Sequence, residues 1–102
     1  MSLFGSKKKD KNFPFSDTKN TASLTCCHVM DQNKPILYVS HDSDDGCWQF
    51  LCGDTHIEGD AKIVGLGEIY EMDKSIGDIA NLPYGYFAER KDMNSKWSVS
   101  AK

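Results

Sequence analysis

Cysteine and histidine are the residues of this sequence that could bind a metal ion or act as nucleophile and base. They are Cys26, Cys27, His28, His41, Cys47, Cys52 and His56. Structural zinc sites usually draw paired ligands from positions about two to four residues apart, and this sequence has no Cys-x-x-Cys pair. Alternation along a strand would send the adjacent Cys26 and Cys27 to opposite faces. At most a subset, Cys26, His28 and Cys52, could converge, so the sequence predicts no metal site and no cofactor.

A cysteine nucleophile needs a neighbouring base, a group that orients the base and donors for the oxyanion. Cys52 with His56 is the best thiol–imidazole pair, but no motif supplies the other groups, so no catalytic residue is predicted. His41-Asp42 resembles the His-Asp pair of metal phosphohydrolases, without their further ligands. The aspartates up to Gly46 lack the spacing and the final Glu of an EF-hand calcium loop. Both features are interpreted as the tip of a hairpin.

Charge is distributed unevenly along the 102 residues, whose net charge is −3. Residues 1–20 carry five lysines and two aspartates, and the remaining chain carries seven basic and thirteen acidic residues, a net charge of −6. An acidic domain disfavours nucleic acid, which requires clustered Lys and Arg. Acidic residues in two loops are therefore the candidate partner-binding residues. They are Asp42, Asp44, Asp45, Asp54, Glu58 and Asp60.

The segment Pro35–Cys52 predicts an antiparallel hairpin. Two apolar runs flank a polar stretch that ends in Asp-Gly, the strongest short-range hairpin pattern. Both faces of these strands are largely apolar, which is typical of a central strand or of one buried in a dimer. We therefore expect a turn over residues 42–46 and either a monomer or a homodimer.

The other elements are predicted from periodicity and capping residues. Residues 23–30 indicate a strand, 62–66 a short strand that runs into a helical turn, and 75–81 a helix capped by Asp73 or Ser75. Residues 84–91 indicate another strand, and 96–99 an edge strand that carries Trp97. The predicted fold class is α+β, with a mainly antiparallel sheet of four to six strands and one or two short helices packed on it.

One domain accounts for a chain of this length. Residues 1–20 lack apolar periodicity and predict a flexible basic arm. The apolar Phe13-Pro14-Phe15 interrupts this arm and could dock on the domain or on a partner. Residues 21–102 are predicted to form the α+β domain. No run reaches the roughly 18 apolar residues of a membrane span. The basic run Lys7–Lys9 is not followed by the apolar segment of a signal peptide, and four cysteines are too few for a disulfide scaffold. These features predict a cytoplasmic protein with free thiols.

Two segments carry a family resemblance. HVMDQNKPILYVSHDSDDGCWQFLCGDTH and AKIVGLGEIYEMDKSIGDIANLPYGYFAER resemble a family of small uncharacterised bacterial proteins related to immunity proteins of polymorphic toxin systems. The shared features are a WQFLCG-type segment, a later LG-x-I element, a D-x-S helix start and LP-x-G before the last strand. The resemblance implies a cytosolic protein that blocks a toxin by binding it, and it carries over no catalytic residue.

The leading functional hypothesis is therefore a non-enzymatic protein-binding domain, immunity-like and toxin-neutralising, with an acidic surface that complements a basic partner. The alternative is a small ligand-binding domain or an enzyme that uses a Cys/His pocket. A flat acidic face with exposed aromatic residues would favour the first hypothesis, and a deep pocket lined by Cys and His would favour the second.

Overall fold

Six strands and two α-helices make up the part of the chain that the structure, a computed structural model, describes: residues 13–53 and 58–102. No helix in these two ranges is long and apolar enough to cross a bilayer. In chain order the elements are β1 (Ala22–Cys26), α1 (Cys27–Gln32), β2 (Tyr38–His41), β3 (Trp48–Leu51), a 3₁₀ turn (Glu58–Asp60), β4 (Ala61–Gly65), α2 (Leu66–Met72), a 3₁₀ helix (Lys74–Ile79), β5 (Tyr86–Glu89) and β6 (Ser98–Ala101).

The strands form one sheet in the order β4-β1-β3-β2-β5-β6. Every neighbouring pair is antiparallel except β1 and β3, which run parallel with Thr25 opposite Phe50. The helices pack on this sheet, so the predicted α+β class is confirmed. A sheet built only of consecutive hairpins would be antiparallel throughout, and the parallel pair β1–β3 is where this sheet differs.

The predicted hairpin is present, with β2 and β3 antiparallel and His41 opposite Trp48. Its turn is closed by two backbone hydrogen bonds: Asp42 N–H donates to Cys47 O at 2.9 Å, and Gly46 N–H donates to Asp42 O at 3.0 Å. Gly46 has φ 72°, a conformation that glycine adopts without strain. The Asp-Gly pattern thus sets the position of the turn.

The strand predicted over residues 23–30 is wrong in its second half. β1 ends at Cys26, and α1 begins at Cys27. The helix ends at Asn33, which adopts the left-handed conformation (φ 54°) and donates its backbone N–H to His28 O. Asparagine tolerates this conformation well, and such a residue commonly ends a helix. Tertiary packing therefore outweighs the strand propensity of Cys27–Met30.

The later elements agree with the prediction in type and differ at their ends. A strand that runs into a helix is confirmed as β4 and α2, and the predicted helix over 75–81 is the 3₁₀ helix Lys74–Ile79. Asp73 caps it by accepting a hydrogen bond from Ser75 N–H at 3.0 Å. The last two strands occupy shorter or shifted ranges, β5 and β6, with β6 at the sheet edge.

One face of the sheet, the inner face, is covered by α2, the 3₁₀ helix and the segment that begins at Phe13. Phe13 and Phe15 are buried in the core, and the Phe15 ring centroid lies 5.1 Å from that of Trp48. Asp17 adds a hydrogen bond, since its carboxylate accepts from Trp48 Nε1 at 3.1 Å. Residues 13–20, which the sequence analysis placed in the flexible arm, thus include core residues. The rest of that arm, residues 1–12, lies outside the described residues.

Candidate functional site

The acidic hairpin tip is the first of the two loops predicted to bind a partner. Asp44 is exposed, whereas Asp45 accepts a hydrogen bond from Cys47 N–H at 2.9 Å. The Asp42 carboxylate accepts from Lys102 Nζ at 2.7 Å and from Gln49 Nε2 at 2.8 Å. The hydrogen bond from Lys102 lowers the pKa of Asp42 below its usual value. Asp42 therefore serves the fold by joining the hairpin to the end of β6.

The second acidic loop lies at the opposite end of β3. Asp60 precedes β4 and accepts a hydrogen bond from Cys27 Sγ at 3.5 Å. Glu58 begins the 3₁₀ turn, and Asp54 lies outside the described residues. Because β3 separates the two loops, the described members of the predicted acidic set do not form one patch.

The second face of the sheet, here called the outer face, carries both apolar and polar side chains. Register places on it Leu24, Tyr38, Ser40, Gln49, Leu51, Ile63, Phe87 and Glu89, together with Ser98 and Ser100 of the edge strand β6. The rings of Tyr38 and Phe87 stack with centroids 5.6 Å apart and an interplanar angle of 22°. Ile63 is 72% exposed. Aromatic and aliphatic side chains on an open face are typical of a protein-binding surface.

A shallow cleft of about 510 Å³ lies on this outer face. Leu37, Tyr38 and Leu51 line it with apolar groups, and Glu89 supplies a carboxylate. Gln49, Gly53 and Arg90 are the other lining residues. No ion pair to Glu89 occurs within residues 13–53 and 58–102. An apolar trough beside an unpaired carboxylate matches the side chain of arginine or lysine, which has a hydrocarbon stem and a cationic head.

Arg90, the next residue along the chain, does not neutralise this carboxylate. Its guanidinium points to the inner side of the sheet, where Nη2 lies 2.9 Å from Asp73 Oδ2 in a buried ion pair. Nε donates to Ile36 O at 3.0 Å, and the group lies 4.2 Å from the Trp97 ring centroid. Sequence reasoning missed Glu89 as a binding candidate. Alternation in the strand YFAER could have separated it from Arg90.

A cluster of Cys and His lies at the end of the sheet where β1 and β3 terminate. One ligand atom from each of Cys26, His28 and Cys52 lies within 4.8 Å of the others. Cys52 Sγ and His28 Nδ1 are 3.4 Å apart. This is the subset that the sequence allowed to converge. The histidine beside Cys52 is thus His28, while His56, the partner considered from the sequence, lies outside the described residues.

A second group adjoins this cluster and shares His28 with it. Ligand atoms of Cys27, His28 and Asp60 also lie within 4.8 Å of one another. Partial burial raises the pKa of the Cys27 thiol, and the neighbouring Asp60 raises it further. Cys27 is therefore protonated at neutral pH in this state and donates its hydrogen to Asp60.

The His41-Asp42 pair does not form a joint site. The imidazole is buried on the inner face and stacks on Trp48 with centroids 3.8 Å apart, while Asp42 is bound to the outer-face residue Gln49. His41 Nδ1 donates a hydrogen bond to Leu82 O at 2.7 Å. Because a carbonyl oxygen can only accept, this contact requires a proton on Nδ1. The interpretation as a hairpin end therefore fits this geometry.

Comparison of the chain with protein-family models, with curated proteins and with solved structures finds no match. The family resemblance therefore stays a prediction.

Proposed function

We propose that this domain acts by binding another protein with the outer face of its sheet, in the manner that the resemblance to immunity proteins implies. The observation that carries the proposal is the stacked pair Tyr38–Phe87 beside a cleft lined by Glu89, an exposed residue whose carboxylate has no ion pair within residues 13–53 and 58–102. Aromatic side chains are among the groups that contribute most to binding energy in protein interfaces. In this proposal the protein is cytosolic and non-enzymatic.

The proposed partner is a protein with a basic surface from which an arginine or lysine projects. The chain after residue 20 carries a net charge of −6, so the long-range field favours association with a basic partner. At contact, the partner's basic side chain would lie along Leu51 and Tyr38 with its head group at Glu89. This arrangement replaces the acidic loops of the sequence prediction as the centre of the site.

A second function, ligand binding by the Cys/His cluster, is favoured by the 3.4 Å contact between Cys52 Sγ and His28 Nδ1. Cys26 and Cys52 are only 1% and 4% exposed, which gives a substrate carbonyl poor access to either thiol. Burial of two soft donors beside an imidazole suits a metal ion better than a nucleophilic enzyme.

The proposal is tested with the product of any toxin-like gene that adjoins the gene for this chain, used as the binding probe. Co-expression should relieve its toxicity, and calorimetry with the purified pair should give the affinity. Glu89→Gln is expected to weaken binding by about tenfold or more, since a buried charge-assisted contact contributes about 1.5–3 kcal/mol. Tyr38→Ala is expected to have a similar or larger effect.

Asp78→Asn is the matched control, because Asp78 is an exposed carboxylate on the 3₁₀ helix that covers the inner face. It should leave the affinity within about twofold of wild type. The double substitution Asp44→Asn with Asp45→Asn tests the acidic tip: a slower association with a weaker salt dependence would assign steering to it. If that double variant loses binding while Glu89→Gln does not, the outer face is not the site. Unchanged toxicity on co-expression rejects this partner.

A further inference from the structure

The fold brings Cys26, His28 and Cys52 together from distant parts of the chain. β1 ends at Cys26, and the chain turns directly into α1, so His28 lies in the first turn of that helix. β3 runs parallel to β1 with Thr25 opposite Phe50, so both strands end on the same side of the sheet. Cys52, one residue beyond β3, is therefore placed beside Cys26.

The distances in this cluster are close to those of a metal site. With bonds of about 2.3 Å to sulfur and about 2.0–2.1 Å to nitrogen, a tetrahedral zinc ion separates a sulfur from a nitrogen ligand by about 3.6 Å and two sulfurs by about 3.8 Å. Cys52 Sγ and His28 Nδ1 are 3.4 Å apart. No pair among the three ligand atoms exceeds 4.8 Å, so coordination requires closure by about 1 Å or less.

We propose that Cys26, His28 and Cys52 bind one zinc ion. Two thiolates and an imidazole are a soft donor set, which selects zinc over magnesium or calcium. Cysteine binds zinc as the thiolate, so binding of the metal and loss of the two thiol protons are coupled. The three ligands are not among the residues of the proposed outer-face site, so the test of the metal site does not depend on that partner.

Three protein ligands leave the fourth position of a tetrahedral ion open. Cys27 and Asp60 form a second group with His28, and the ligand atoms of that group lie within 4.8 Å of one another. In this proposal a solvent molecule completes the coordination. The metal would join the end of β1, the start of α1 and the end of β3, and thereby fix this end of the sheet.

The test uses Co²⁺ as a spectroscopic probe for zinc, with the full chain reduced and freed of metal by chelation. One Co²⁺ per chain is expected to bind and to give the thiolate-to-cobalt charge-transfer band and the intense visible absorption of a tetrahedral site. Zn²⁺ should displace it, whereas Mg²⁺ and Ca²⁺ should not. Binding at neutral pH should release about two protons, one from each thiol.

Variants assign the ligands. Cys52→Ser and His28→Gln are each expected to weaken Co²⁺ binding by at least about 100-fold, since loss of even an outer-shell partner costs roughly 10–100-fold. Cys47→Ser is the matched control, because Cys47 lies at the other end of β3. His28 is half-buried, so His28→Gln should keep the fold, as far-ultraviolet circular dichroism would show.

The proposal is overturned if the folded, reduced wild-type protein shows no charge-transfer band. It is also overturned if Cys47→Ser weakens binding as much as Cys52→Ser, or if Cys26 and Cys52 form a disulfide in air without any affinity for Co²⁺ in the reduced state. Retention of the full cobalt spectrum by folded His28→Gln would exclude the imidazole as a ligand and overturn this assignment.

Discussion

Replacement of Phe15 by alanine is expected to destabilise the domain strongly, although the sequence places this residue in an arm predicted to be flexible. Phe15 is 0% exposed, and its ring meets Trp48 edge-on at 5.1 Å and Phe50 at 6.2 Å between centroids. Truncation of a buried phenylalanine to alanine typically costs about 3–5 kcal/mol. For a domain of this size, 1 kcal/mol corresponds to about 4–8 °C, so the melting temperature should fall by at least about 12 °C.

Detachment of the segment from the core would not avoid this loss of stability. If residues 13–17 leave the sheet, Trp48 and Phe50 lose their cover, and the hydrogen bond from Trp48 Nε1 to Asp17 is lost. Burial of large aromatic side chains dominates core energetics. The loss is therefore expected whether the segment stays in place around a cavity or separates from the core.

Thermal and urea unfolding, followed by tryptophan fluorescence and circular dichroism, measure the effect. Ser16→Ala is the matched control, since Ser16 is exposed in the same segment and should change stability by less than about 0.5 kcal/mol. Deletion of residues 1–12 is expected to leave stability unchanged, whereas deletion of residues 1–16 should reproduce the loss. A Phe15→Ala protein that melts within about 4 °C of wild type would refute the argument.

Two further predictions concern charged pairs. Arg90→Met leaves Asp73 as an uncompensated, nearly buried charge and should cost about 3–5 kcal/mol by urea unfolding. Lys74→Ala, which removes the solvent-exposed ion pair with Glu71, should cost less than about 0.5 kcal/mol, and equal losses would contradict the buried pair. The pKa of Asp42 is lowered by Lys102, so this pair stabilises the fold above the ordinary carboxyl pKa of 3.8, and the contribution disappears as pH falls through the lowered value. The side chains of Asp42 and Lys102 are 22% and 42% exposed, so Asp42→Asn should lower the free energy of unfolding by less than about 1 kcal/mol at neutral pH. The variant should also lose less stability than wild type as the pH falls through the acidic range. An unchanged pH dependence of stability would contradict this prediction.

Local patterns were sufficient to predict the elements that depend on neighbouring residues. The Asp-Gly turn at Gly46 and the Asp73 cap are each set by residues within one turn of the chain. By contrast, β1 buries Ser23 and Thr25 rather than an apolar stripe. Their hydroxyls donate to Val64 O and Phe50 O, so burial of these polar groups is compensated by strands that lie far away in sequence. Composition alone does not reveal such compensation.

The candidate sites were less accessible to sequence reasoning than the fold. The Cys/His cluster has no spacing motif, because Cys52 reaches Cys26 only through the parallel register of β3 on β1. The acidic loops were chosen by charge, and the register of β3 places them at opposite ends of the strand. Glu89 was not singled out from the sequence, because its place on the outer face depends on the register of β5 on β2. Each of these outcomes depends on long-range geometry.

The central position of β3 has a consequence for synthesis of the protein on the ribosome. β1 emerges first, but both of its partners, β3 and β4, follow later in the chain. A short hairpin such as β2–β3 forms within microseconds once its residues are free, whereas the parallel pair must close a longer loop, at an additional entropic cost. We therefore expect β1 to pair only after β3 has paired with β2. In this order, β1 is added to the free edge of the completed β2–β3 hairpin.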